Sequence, residues 1–359
     1  MDAFTLVSAW DALVLQLGYI FTEPTARTWR QIAWGWVLKR GKMPVTGIFR
    51  TLGDLTDRHW TVYQKFFYRA AWSLNRLSEA LLIQVIYPLI LESGLCEPVS
   101  GNPVADLNID DTTAGRCGKH LAHAGWFKDA STSAASHQGT VIHWAHNWLV
   151  GAVTLRLPGW TMRWALPAVF ALYRKRGDYK TPNAFRSRQE LAGEMIQRTA
   201  QALPQVQWRA CADGQYAKRQ VVQKLPQRVN LVSRIRRDAA IYDLPLKRRP
   251  KGKRDPNPKK GQRMPCPQKL ALRRKKGWEK ITVFKQGYPV QRLVLGITCL
   301  WYHVCQGVHG DRSGPGRQRE RRLFLLHRRH RSRRGNCPAL LRSLGRGRSH
   351  RGGQTIDGI

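Results

Sequence analysis

Over residues 60–88 the apolar side chains return every three or four positions, at Tyr63, Phe66, Phe67, Ala70, Leu74 and Leu77. That period predicts one amphipathic helix. Its polar positions include Lys65, Arg69 and Arg76, a pattern that an ordinary solvated face explains better than a DNA-facing one. The whole of residues 1–103 reads as a helical N-terminal region. After Cys96-Glu97-Pro98 the period changes to two. Residues 104–109 (VADLNI) alternate as a strand and run into Asp110-Asp111-Thr112-Thr113. Residues 141–157 are strand-rich, 166–173 form a further apolar run, and 188–202 read as a helix with Leu191, Met195, Ile196 and Thr199 on one side. A short strand at 206–212 ends at Asp213-Gly214, a helix follows through Val221 and Leu225, and 229–235 is strand again. Strands and helices on this rhythm predict an α/β fold, a mixed sheet flanked by helices. Residues 246–267 hold almost no apolar side chains, so a solvated basic insertion is expected over about 246–278, with strands at 280–284 and 290–301 after it.

Charge narrows the function. Against 23 acidic residues stand 61 Lys and Arg, a formal net charge of +38, and such an excess favours a polyanionic partner, in practice nucleic acid. The N-terminus MDAFTLVSAW has neither the basic region nor the cleavage site of a secretory signal. The most apolar stretch, 80–91, is too short to span a bilayer, so no membrane partner is expected. Seven cysteines without a C-x-x-C pair argue against zinc fingers and disulfide frameworks, and a cytoplasmic protein is the expectation.

Two acids stand where chemistry could occur. Asp111 follows the strand LNID and Asp213 follows WRACA. Acids at the ends of neighbouring strands can converge on one point, and carboxylate oxygens suit a pair of hard cations such as Mg²⁺ or Mn²⁺. Asp-Thr-Thr and Asp-Gly are also common cap and turn sequences, so neither acid means much alone. Strand side chains alternate faces, which leaves Asp110 as the alternative to Asp111. Arg234 and Arg236 would share a strand face, positioned for DNA phosphates, with Lys247, Arg248 and Arg249 as further DNA contacts. His143 and His146 lack a third ligand and read as structural or DNA-facing.

The segments NIDDTT, HWAHNWLV…LPGW…LPAVFALYR, ACADGQYA and LVSRIRRDAAIY together resemble the bacterial insertion-sequence DDE transposases, over roughly residues 50–304. The resemblance implies an RNase H-like catalytic core over 104–304, Mg²⁺-dependent cleavage and transfer of DNA strands in transposition, action on transposon ends and target DNA, and a homo-oligomer on DNA at the nucleoid. It also implies that Asp111, with Asp110 as its competitor, and Asp213 are catalytic metal ligands.

The pattern breaks near Val304. The family carries a third acid, a Glu within Y-x2-R-x3-E-x6-K, and no such string is present. Residues 305–359 hold fourteen Arg and no Lys, Trp or Tyr, whereas the first 304 residues hold 19 Lys. Read one base later with permitted codons, residues 305–314 can give VKVFTVIVR, and 339–357 can give RYYARWAVEGAIEEAKQSM. The second string restores the motif, with its Glu codon straddling Gly347 and Arg348. The tail is therefore expected to be out of frame and disordered, and the enzyme defective for want of the third acid. The rival readings are a DNA-binding transposase remnant without catalysis and a basic RNA-associated protein.

Overall fold

The computed structural model describes residues 2–98, 100–118, 120–129, 140–160, 162–226, 228–244, 260–285 and 288–301, with the backbone of 322–328. Six helices form the N-terminal region: α1 (Ala3–Gly18), α2 (Glu23–Leu38), α3 (Val45–Leu52), α4 (Trp60–Tyr68), α5 (Leu74–Ala80) and α6 (Tyr87–Glu92), the last two joined by a π-helical turn at Leu81–Ile86. Their shared core is aromatic. Phe21, Trp29, Phe66 and Trp72 stack in turn, with Ile32, Ile48 and Tyr63 buried beside them. The guanidinium of Arg30 and the indole of Trp34 both donate to Asp11, which ties α2 to α1.

The single helix expected over 60–88 is two. Lys65 O accepts from both Arg69 N and Ala70 N, which closes α4, and Ser73 Oγ accepts from Arg76 N to cap α5. The turn between them lets Trp72 fold back onto Phe66. The helical run Leu74–Glu92, with its 19 residues, is long and apolar enough to cross a membrane, so the length argument from 80–91 does not hold. Its Leu82, Ile86 and Ile90 are buried in the main core instead, against the sheet.

That sheet contains β1 (Val104–Gly115), β2 (Gly125–Lys128), β3 (Ile142–Leu155), β4 (Trp164–Tyr173), β5 (Gln207–Ala212) and β6 (Val229–Ser233). The order is β4–β3–β1–β5–β6, and β2 pairs with the first residues of the β3 edge that β4 occupies further along. β3 is antiparallel to β1 and β4, whereas β5 runs parallel to β1 and β6. Between β4 and β5 lies α7 (Arg188–Ala202), begun by a reciprocal cap between Ser187 and Glu190, and α8 (Arg219–Gln223) lies between β5 and β6.

One face of the sheet is dry and the other is half-buried. Ala105, Leu107 and Ile109, Leu149 and Val153, and Trp208 and Ala210 point into one core with Met195 and Ile196 of α7 and Val221 and Val222 of α8. On the opposite face of β1, β3 and β5, positions 106, 108, 110, 146, 148, 150, 152, 154, 207, 209 and 211 include no buried residue. Asp106 there pairs with Arg209 across β1 and β5.

A second sheet holds β7 (Glu279–Lys285), β8 (Tyr288–Thr298) and β9 (Arg322–Arg328). The basic insertion is less uniform than its composition implies. Residues 245–259 lie outside the described residues, but Pro267–Arg273 forms helix α9, whose Leu270 is buried with Ile235, Ile241 and Leu295. Of the Arg-rich tail only β9 is described, and it pairs antiparallel with β8, so this segment departs from the expectation of a tail without structure.

Candidate active site

β1 and β5 run in register from Val104 and Gln207 to Ile109 and Ala212, and there their pairing ends. Asp110 and Asp213 are the next residue on each strand. β1 itself does not stop; it continues to Gly115 on β3, so Asp111 lies within the strand rather than at its end. Asp213 keeps an extended backbone (φ −67°, ψ 163°) before the 3₁₀ turn Gly214–Tyr216. Side chains alternate along extended chain. Ile109 faces the core, so Asp110, the next residue, falls on the opposite face of β1, while Asp213 begins the turn that follows β5 at the point where the two strands part.

Asp111 falls on the other face, and its contacts agree. Its Oδ1 accepts from Gln215 Nε2 at 2.7 Å and from the Tyr216 hydroxyl at 3.1 Å. Its Oδ2 accepts from Asn147 Nδ2 at 3.1 Å and stands 3.3 Å from Arg188 Nη1. Tyr216 is fully buried and Asn147 is 1% exposed. Burial first, and then the Asp111 carboxylate, pushes the Tyr216 phenol well above its usual range, so the phenol remains a donor. Arg188, the first residue of α7, also lies over the Tyr173 ring.

The end of β6 closes the site from the side. Ser233 Oγ donates to the Asp213 carbonyl at 2.9 Å. A Cβ on Gly214 would come within 3.1 Å of the Arg234 carbonyl oxygen, which is why the residue after Asp213 has no side chain. Arg234 and Arg236 do not share a strand face, because β6 ends at Ser233. There the chain leaves the sheet: Arg234 stands against the Asp213 turn, and exposed Arg236 pairs with Asp238. Lys247, Arg248 and Arg249 lie outside the described residues. His143 and His146 sit an odd number of residues apart on β3 and so face opposite ways. His143 lies near Asp129, and His146 meets the Ala122 carbonyl and Arg116.

Asn147, Arg188, Gln215 and Tyr216 are absent from the sequence-derived site. One signal for them was present: in the alternation Ala145, Asn147, Leu149 an amide occupies a core-facing position, and a buried amide needs a partner.

Asp111 or its neighbour Asp110, with Asp213, offers the carboxylate oxygens that a hard divalent cation prefers, which fits Mg²⁺ in kind. They fall short in number: among the described residues no three His, Cys, Asp or Glu side chains cluster closely enough to hold a metal.

A sheet antiparallel on one side and parallel on the other, with acids where its central parallel pair divides, defines an RNase H-like nuclease core. The chain belongs to the DDE superfamily endonucleases, whose family pattern matches residues 16–290. The match reaches further toward the N-terminus than the motifs did, so the helical region is part of the family's chain. No curated protein and no solved structure matches it.

Proposed function

We propose that the chain descends from a transposase that cuts transposon ends and joins the freed 3′-hydroxyl to target DNA, and that it is now catalytically defective. What supports this reading is that Asp111, with Asp110 as its alternative, and Asp213 come where the pairing of β1 and β5 ends, in a chain of net charge +38. The acidic pair would hold divalent metal ions, Mg²⁺ or Mn²⁺. Bound there, such ions would supply activation of the attacking oxygen and stabilisation of the leaving one. The protein's own part is placement. A DNA strand would reach the acids where β1 and β5 part, and the cations there, Arg234 and Arg236 included, would neutralise phosphates. Lys247, Arg248 and Arg249 would extend that contact. The work would be done at the bacterial nucleoid, on paired DNA ends, by a homo-oligomer with no membrane involved.

Loss of the third acid by a change of reading frame after Val304 leaves two carboxylates where three are needed. A second reading has its own support: with no three-acid cluster among the described residues, the chain can persist as a DNA-binding remnant that occupies transposon ends. Both readings predict DNA binding, and nicking separates them from an active enzyme. Plasmid DNA incubated with the chain and Mg²⁺ should show no more than trace nicking while gel shifts show binding. Robust nicking would overturn the defect, and absence of DNA binding would overturn the transposase reading.

A further inference from the structure

We propose that the turn between α2 and α3 grips a DNA backbone phosphate through Lys39, Lys42 and Arg50, which gives the helical region a nucleic-acid contact of its own, apart from the acids. DNA as the partner comes from the reading above; the metal chemistry of that reading is not needed.

Helix packing builds the place. Gly35 of α2 lies against Ile48 of α3, where a Cβ would come within 2.3 Å of the Ile48 Cγ2, so the two helices approach closely. Ile48 and Leu52, one turn apart, are buried in the aromatic core. Thr46 and Arg50, also one turn apart, lie on another line of α3 and are exposed. Lys39 and Lys42, from the turn, line an open hollow of about 430 Å³ together with Thr46, Arg50 and Thr51. Lys39 is held there. Its Cε lies over Gly47, where a Cβ would meet it at 3.1 Å, and its ammonium donates to the Arg40 carbonyl at 2.9 Å.

Charge decides what the hollow takes. Residues 24–53 hold six Lys or Arg and no Asp or Glu. Arg27 and Arg30 are answered by Glu23 and Asp11. Among the described residues no acid pairs with Lys39, Lys42 or Arg50, and three cations around one hollow repel one another until an anion joins them. The Gly47 and Ile48 amides already donate to the Pro44 carbonyl, and the Thr51 hydroxyl donates to the Gly47 carbonyl. The cationic side chains and the Thr46 hydroxyl are therefore the groups that would meet a ligand. A guanidinium can donate to two phosphate oxygens at once, and the ammonium groups add point charge. Val37, Leu38 and Met43, at the same turn, are 56%, 48% and 45% exposed. A deoxyribose beside the phosphate would cover apolar surface of this kind, and a free phosphate would not, which favours DNA. Such contacts fix a duplex in place without reading its bases.

Salt titration of duplex binding by the full chain tests this. Lys42→Gln with Arg50→Gln should lower the slope of log affinity against log salt by about two and weaken binding about tenfold, alike for duplexes of unrelated sequence. Arg50→Lys keeps the charge and should keep the native slope. Arg27→Gln removes a cation already paired with Glu23 and should also leave the slope as it was. If the double variant melts early, Arg50→Gln alone should show half the change. Native binding with an unaltered slope in these variants overturns the site and leaves the reading above standing, whereas a native chain that binds no duplex overturns both. An equal loss of slope in Arg27→Gln and Arg50→Gln reduces the effect to net charge and overturns the site. So does inorganic phosphate that raises the melting temperature of the native chain but not of the double variant, while their duplex slopes agree: the hollow then takes a free phosphate.

Discussion

Removing the Asp111 carboxylate should turn the Tyr216 hydroxyl from an asset into a liability. In Asp111→Ala, four donors lose their acceptor, but they are not equal. Gln215 is exposed and the Arg188 side chain is 33% exposed, so both can turn to water. Tyr216 and Asn147 cannot, at 0% and 1% exposure. Each stranded buried donor costs about 1–3 kcal/mol, so the variant should lose about 3–5 kcal/mol. That is a large part of the roughly 5–15 kcal/mol that holds a domain together. Tyr216→Phe in the native background removes a hydrogen bond to a charged acceptor and should cost about 1.5–3 kcal/mol. In the Asp111→Ala background the same change removes a stranded hydroxyl, so it should restore about 1–2 kcal/mol. The effect of one substitution thus changes sign with its partner. Urea melts of the four proteins, with the slope unchanged among them, measure it directly. Equal destabilisation by Tyr216→Phe in both backgrounds would refute the claim that the hydroxyl depends on Asp111, and would mean water reaches it.

Acid should loosen the helical region and the start of α7. The Arg30 guanidinium, through its hydrogen bond first, holds Asp11 below the usual carboxylate range, and the Ser187 backbone amide does the same for Glu190. A depressed folded pKa contributes stability above the unfolded value and loses it as pH falls through the folded one, so melting temperature should decline from about pH 4 downward, and Asp11→Asn should flatten that decline. Thiol labelling at neutral pH should modify exposed Cys96 and Cys117 readily and Cys211 slowly, because burial and then the Asp106 charge push that thiol up to about 12. Equal rates, resolved by peptide mapping, would show that Cys211 is not shielded from water. DNA affinity should fall steeply with salt, by a power equal to roughly 0.9 of the phosphates neutralised, and Asp213→Ala should leave that slope unchanged.

Much of the core was legible because its strands obey a strict period. The alternation over 104–109 and 206–212 located the start of β1 and the whole of β5 to within a residue, though β1 runs on to Gly115, and the apolar spacing of 188–202 located α7. The break at 69–73 was hidden, since apolar residues continue through it and only Ser73 marks the cap. Helix α9 was hidden by its basic neighbours: Leu270 is nearly the lone apolar side chain in its first turn, and it finds its partners in β8 and the 235–241 segment, far away in sequence. Sequence could not tell which face of β1 each of the paired acids takes. Asp110 and Asp111 are adjacent and chemically identical, and only the register with β5 and the contacts to Asn147 and Tyr216 tell them apart. Sequence spacing also carried Arg234 and Arg236 past the point where β6 ends.

The central claim is that this fold cuts DNA through the acids where β1 and β5 part and now lacks only a third. Its most direct test is Mg²⁺-dependent nicking of supercoiled plasmid by the protein whose codons after Val304 are read one base later, with and without Asp213→Ala. The restored protein should nick where the present chain gives only a trace, and Asp213→Ala should return nicking to that trace level. Nicking that persists undiminished in Asp213→Ala, or a restored chain that binds DNA and still cannot cut it, would contradict the account.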